Sequence, residues 1–239
     1  MGKFLKTFLT HLGYKDYIND DEKILPNVSF CEDNKCTHYN PLIETKVIAI
    51  FNVDTIGSVD IINSDVVSLI AGIMIDGVVQ PSVVSSYNFT TTGEHTVKYI
   101  LKHNTLGDET FRNCSNLKSI FIPEGIENIG YNTFRDCYSL IAVSLPSTLI
   151  TISDNAFSDC YALTNITIPK NVSMIGDFAF NVCGNLISVT IKAKTPPEVG
   201  TFAFNGNDPN RKFYVPANSV SDYQNEWTDY SSEIEAINN

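Results

Sequence analysis

Cys114, Cys137, Cys160 and Cys183 lie 23 residues apart, and Phe111, Phe134, Phe157 and Phe180 each stand three residues before one of them. A fixed period of that length marks one supersecondary unit that has been copied and stacked, so the repeat constrains the architecture before local propensity is consulted. Residues 117–139, 140–162 and 163–185 are full copies. Residues 106–116 keep the Phe and Cys; residues 186–208 keep Leu186, the strand and Phe204, with one residue inserted and Gly206 near the last expected Cys.

Within a copy, Leu117, Ile120 and Ile122 have the alternation and β-branching of a short strand, and Pro123, Pro146 and Pro169 end it. A second apolar pair follows (Ile126 with Ile129, Leu149 with Ile152, Val172 with Ile175), then the turn carrying Phe and Cys. One copy cannot bury enough apolar surface to offset the entropy of ordering it. Stacked copies can, with Phe111, Phe134, Phe157, Phe180 and Phe204 forming a ladder inside the coil.

Leu117, Ile120, Ile122, Pro123, Ile129, Gly130, Phe134 and Cys137 together resemble the BspA-like, or Treponema pallidum-type, leucine-rich repeat, over about residues 97–239. Ser153 departs from the pattern, standing where Gly130 and Gly176 stand in other copies. Residues 213–237 resemble the closing strand and helix of such chains, with Tyr214, Val220, Tyr223 and Trp227 available to cover the open end. The resemblance implies a bacterial surface or secreted protein concerned with adhesion and binding rather than catalysis.

Upstream, Phe4, Phe8 and Leu12 recur between lysines as in a short amphipathic helix stopped by Gly13. Residues 27–41 fit a β-hairpin turning at Asp33-Asn34, with Glu32 facing Lys35 and Cys31 facing Cys36. Residues 45–53, 58–64, 68–77 and 95–104 read as strands separated by turn residues, and the strand from Thr96 to His103 is expected to run into the first repeat and share its sheet. The expected fold is mainly β with short helices. It comprises an N-terminal helix and hairpin segment (1–43), a small β-sandwich-like domain (44–103), a leucine-rich-repeat solenoid (104–212) and a C-terminal cap (213–239).

A formal net charge of −11 argues against nucleic acid or an anionic membrane surface as partner. No apolar run is long enough to span a membrane, and the N-terminus lacks the unbroken apolar core of a secretory signal. The family resemblance points to the cell surface or secretion, whereas the missing signal leaves a cytoplasmic or virion-associated location open. The four repeat cysteines read as small buried hydrophobes, since no close pair of the C-x-x-C kind suggests a metal. Cys31 and Cys36 could form a disulfide or remain free thiols. No dinucleotide, phosphate-loop, metalloprotease or nucleophile-elbow motif occurs, and the four histidines are scattered, so no catalytic, cofactor or metal residues are expected.

What remains is surface. Between the buried strand positions, Ser119 and Phe121, Ala142 and Ser144, Asn165 and Thr167, and Ser188 and Thr190 are expected to point together to the concave face. Ser119, Phe121, Ser144, Asn165, Thr167, Ser188 and Thr190 are therefore the candidate partner-binding residues, with Phe121 the one large group and Tyr138 and Tyr161 further aromatics of interest. A hydroxyl-and-amide face suits a protein or glycan ligand. The alternative is a structural assembly component, phage-tail-like or at the cell surface, that docks through its N-terminal segment.

Overall fold

A computed structural model describes residues 31–32, 35–36 and 46–237. Residues 1–44 and 45–239 form two compact units. In the first, β1 (Cys31–Glu32) pairs antiparallel with β2 (Lys35–Cys36), placing Cys31 opposite Cys36 and Glu32 opposite Lys35. The side chains of this hairpin, any bond between its cysteines, and the expected helix before it lie outside the described residues.

The second unit opens with β3 (Lys46–Val53), β4 (Gly57–Asp60), β5 (Ile70–Ile75), β6 (Val78–Val79), β7 (Ser86–Phe89) and β8 (Gly93–Leu101). Strands β3, β8, β5 and β6 form one antiparallel layer, and β4 with β7 forms a second, two-stranded one. The strict alternation of β8 puts Val97 and Tyr99 inside with Phe51, Val53, Ile73 and Phe89. Residues 64–69, read as part of two strands, form a 3-10 helix instead, capped by the Asn63 side chain on the Asp65 N–H.

The repeats follow, each contributing two short strands. One parallel sheet contains β10 (Asn128–Ile129), β12 (Thr151–Ile152), β14 (Met174–Ile175) and β16 (Glu198–Val199). On the other side lie β9 (Leu117–Phe121), β11 (Ala142–Ser144), β13 (Asn165–Ile168), β15 (Ser188–Ile191), β17 (Lys212–Val215) and β18 (Ile234–Ala236). The sheet of the first layer, β8 included, is shared with the repeats, but β8 is not the strand that pairs with them. It is β3 that pairs antiparallel with β9, and β11 then adds in parallel. The shared sheet has the order β11-β9-β3-β8-β5-β6, and β13-β15-β17-β18 form the next. The boundaries expected at 103/104 and 212/213 both fall inside the unit 45–239.

Between the two repeat sheets the phenylalanines stack. Successive ring centroids from Phe111 to Phe204 are 5.5, 5.0, 5.0 and 5.1 Å apart, with planes within 13° of parallel. Each end of the stack is closed by rings set across it. Tyr99 of β8 meets Phe111 edge-on at 5.1 Å, with its hydroxyl donating to the Ile61 carbonyl, and Phe213 meets Phe204 at 4.9 Å and 79°. Trp227 and Tyr230 complete the far end. Tyr214, expected there, faces solvent instead. The period-2 pattern of β17 buries Phe213 and Val215 and turns Lys212 and Tyr214 outward.

The cysteines do more than fill space. Cys137, Cys160 and Cys183 each donate their thiol proton to the carbonyl of the phenylalanine one layer back (Phe111, Phe134 and Phe157), at 3.1–3.2 Å. The last copy has lost its Cys, and Asn207 Nδ2 supplies the same bond to Phe180 at 2.7 Å. No layer follows Phe204, whose carbonyl receives Arg211 Nη1 at 2.6 Å. Five buried carbonyls thus gain a side-chain donor; those of Phe111, Phe134 and Phe157 also accept the N–H of the cysteine three residues on, so there the thiol fills the second lone pair.

The departure at Ser153 also has a cause. Asp108, Asp154 and Asp177 each accept the N–H of the equivalent residue one layer on, Tyr131, Asp177 and Thr201, through Oδ1. That carboxylate and the backbone beside it lie against the residue preceding the donor: a Cβ on Gly130 would come within 2.5 Å of Asp108 Oδ1 and 2.6 Å of the Asp108 nitrogen, and Gly176 and Gly200 are as crowded. Ser153 follows a layer with Tyr131 in place of the Asp, so no such carboxylate competes with its side chain. In urea melts, Gly176→Ala is expected to lose about 1–3 kcal/mol by overpacking, whereas Ser153→Ala changes stability by less than about 0.5 kcal/mol. Phe157→Ala, in the middle of the stack, is expected to lose about 3–5 kcal/mol; a loss below about 1 kcal/mol would contradict the ladder's role.

Candidate functional site

The strand register decides which side chains share the solvent side of the sheets. In one row, Lys98, Ile48, Phe121 and Ser144 stand side by side across β8, β3, β9 and β11. Thr167, Thr190, Tyr214 and Glu235 are likewise in register across β13, β15, β17 and β18. A second row runs Thr96, Ile50, Ser119, Ala142, and in the other sheet Asn165, Ser188, Lys212. Lys212 and Glu235 close the far end with an ion pair of 3.0 Å.

These placements sort the candidate residues. Asn165 and Thr167 are exposed, and Phe121, Ser144, Ser188 and Thr190 are half-buried. Ser119 is only 7% exposed, set between Ile50 and Ala142, so it offers little to a ligand. Phe121 is not the only large group on this face, because Ile48 of β3 pairs with it directly and Tyr214 stands toward the other end. Ile48 and Ile50 precede the repeat strand by about 70 residues, and no periodic signal links them to it.

Tyr138 and Tyr161 lie elsewhere, on the turns after the cysteines. Their rings stack at 5.4 Å, and each hydroxyl donates to the aspartate two residues earlier, Asp136 or Asp159, at 3.1 Å. That hydrogen bond to a carboxylate raises both phenol pKa values. Among the described residues no group of three His, Cys, Asp or Glu side chains could hold a metal. His95 is buried against Phe89 and bonded to Asp76 at 2.7 Å, a structural arrangement within the first layer. Burial pushes the thiols of Cys114, Cys137 and Cys160 well above their ordinary range.

Short parallel strands stacked on a 23-residue period, with an apolar ladder between them, define a leucine-rich-repeat solenoid. The family model for the BspA type leucine rich repeat region matches residues 83–235 in six copies, and the chain belongs to that family. Among solved structures it is similar to the T. pallidum leucine rich repeat protein, at 27% identity and a TM-score of 0.44, covering 49% of this chain and 53% of that one. It is also similar to the pneumococcal vaccine antigen PcpA, at 23% identity and a TM-score of 0.40, covering 57% of this chain and 40% of that one. A leucine-rich repeat protein from Bacteroides capillosus matches at 30% identity and a TM-score of 0.34, covering 39% of this chain and 65% of that one. The match thus spans about half the length of the first of these structures. No curated protein sequence matches the chain. Among the described residues no helix is long and apolar enough to cross a membrane.

The repeat thiols generate a chemical expectation. Only thiolate reacts readily, so native protein treated with a thiol reagent at pH 8 should leave Cys114, Cys137, Cys160 and Cys183, all buried, unmodified. Unfolded protein should react at all four. Rapid native labelling of Cys160 would contradict the thiol–carbonyl assignment.

Proposed function

We propose that this protein is a non-catalytic binding module that engages a protein or glycan through the solvent side of its strands. One observation carries the reading: the face does not stop at the first repeat but continues through β9 onto β3 and β8, giving a row that runs from apolar (Ile48, Phe121) to hydroxyl-bearing (Ser144, and in the next sheet Thr167 and Thr190). An apolar end supplies area for a partner to cover, and the hydroxyls beyond it supply adaptable hydrogen bonding. Membership of the BspA type family supports a place at the bacterial surface or outside the cell.

A second reading is favoured by one specific observation, the separation of residues 1–44 as a compact unit of their own. On that reading the repeats are part of a larger assembly into which the N-terminal segment docks.

Screening against glycan arrays and surface-protein libraries, followed by titration, separates the two. Phe121→Ala is expected to weaken an identified partner about tenfold or more, as truncation of an interface anchor does, with the melting temperature unchanged. Undiminished binding by Phe121→Ala, together with loss of binding on removal of residues 1–43, would overturn the strand-face reading in favour of the assembly role.

A further inference from the structure

Each layer of the solenoid holds two residues in the left-handed conformation, and the first of the two turn positions is taken by Glu109, Asn132, Asn155, Phe178 and Phe202, at φ of 53–58°. Asparagine tolerates this conformation at little cost, but a bulky aromatic does not. Core packing does not offset the strain in the last two layers. Phe178 and Phe202 are 36% and 56% exposed and stand outside the apolar core, and their rings meet each other at 5.6 Å. Two strained, solvent-facing phenylalanines side by side form a shelf on the flank of the coil, away from the strand face.

Beside this shelf a groove of about 750 Å³ opens between the last turn and the C-terminal segment, with Phe202 on its lip and Trp227 and Tyr230 in its wall. Its charge is one-sided. Asp208, Glu226, Asp229 and Glu233 line it, against the single cation Arg211. Arg211 is only 7% exposed, and its guanidinium is committed to Glu233 at 2.7 Å, to the Phe204 carbonyl and to Asn207. It also lies over the Phe213 ring, 4.8 Å from the centroid. No cation is left to greet an anionic ligand, so the groove repels anions and attracts cations.

We propose that this groove and its phenylalanine shelf form a second binding site, independent of the strand face, for a peptide segment that carries basic and apolar side chains in alternation. An arginine or lysine of the segment faces Asp229 and Glu226, while the apolar neighbour covers Phe178 and Phe202. The size falls in the range of built ligand clefts, and charge complementarity selects the partner.

The test is fluorescence anisotropy with a labelled decapeptide of alternating arginine and leucine, set beside arginine–serine and glutamate–leucine peptides of the same length. The arginine–leucine peptide is expected to saturate, the arginine–serine peptide to bind about tenfold more weakly, and the glutamate–leucine peptide not to bind. A Phe178→Asn, Phe202→Asn double variant is expected to lose about tenfold in affinity while melting at the parent temperature or above it, because asparagine suits the left-handed turn. Asp229→Asn should weaken the peptide, whereas Glu127→Gln, elsewhere on the surface, should not. Equal affinity in the double variant, a clearly lowered melting temperature that would make the rings structural, or saturable binding of neutral maltohexaose in place of the peptide would each overturn the proposal.

Discussion

The repeats depend on one stacked column: phenylalanine rings about 5 Å apart, tied layer to layer by side-chain donors on their main-chain carbonyls. A ring cannot stack without bringing its own backbone into the dry interior, where the carbonyls of Phe111, Phe134 and Phe157 each accept the amide of the cysteine three residues on and keep a second lone pair to satisfy. The thiol of the cysteine one layer on takes that second lone pair. It is small enough to fit beside the ring, apolar enough to be buried, and still able to donate a weak hydrogen bond. Where the pattern loses its cysteine, the bond is kept by Asn207 and then by Arg211.

A column of this kind has two ends, and both are closed by the same device. Tyr99 at one end and Phe213 at the other turn their edges onto the terminal rings, an arrangement the aromatic quadrupole favours. Tyr99 belongs to a strand of the antiparallel layer, so the first repeat is capped by a sheet rather than by a loop. The same docking pairs β3 with β9 and extends the strand face onto Ile48. Stability and surface are therefore built by one contact, and the candidate binding face is larger than the repeats alone would provide.

Much of this was legible in the residues. The 23-residue period gave away the ladder, the strand-ending prolines and the inward cysteines, because each layer repeats the same local environment. What escaped was non-local or specific to one layer. The thiol bonds join residues 26 apart across layers, and composition distinguishes a donor cysteine from an inert one in no way. The β3–β9 pairing joins strands with no shared pattern, so Ile48 was invisible as a neighbour of Phe121 and Ser119 looked open when it is buried. Tyr214 and Phe213 exchanged places because strand phase, not aromatic size, decides which ring turns inward. Nothing in the repeat pattern marks Phe178 and Phe202; their backbone conformation and exposure set them apart.

The central claim is that the antiparallel layer, the repeats and the closing segment form one cooperative column. Native-state amide hydrogen exchange tests it directly. The amide of Phe157, bonded to the Ala179 carbonyl at 2.7 Å, and the amides of β8 beside Tyr99 should exchange with the same free energy, equal to that of global unfolding. Removal of the terminal ring in Phe204→Ala should lower both by the same amount. If β8 kept its full protection in that variant while the repeat amides lost theirs, the column would not be one unit and the account would fail.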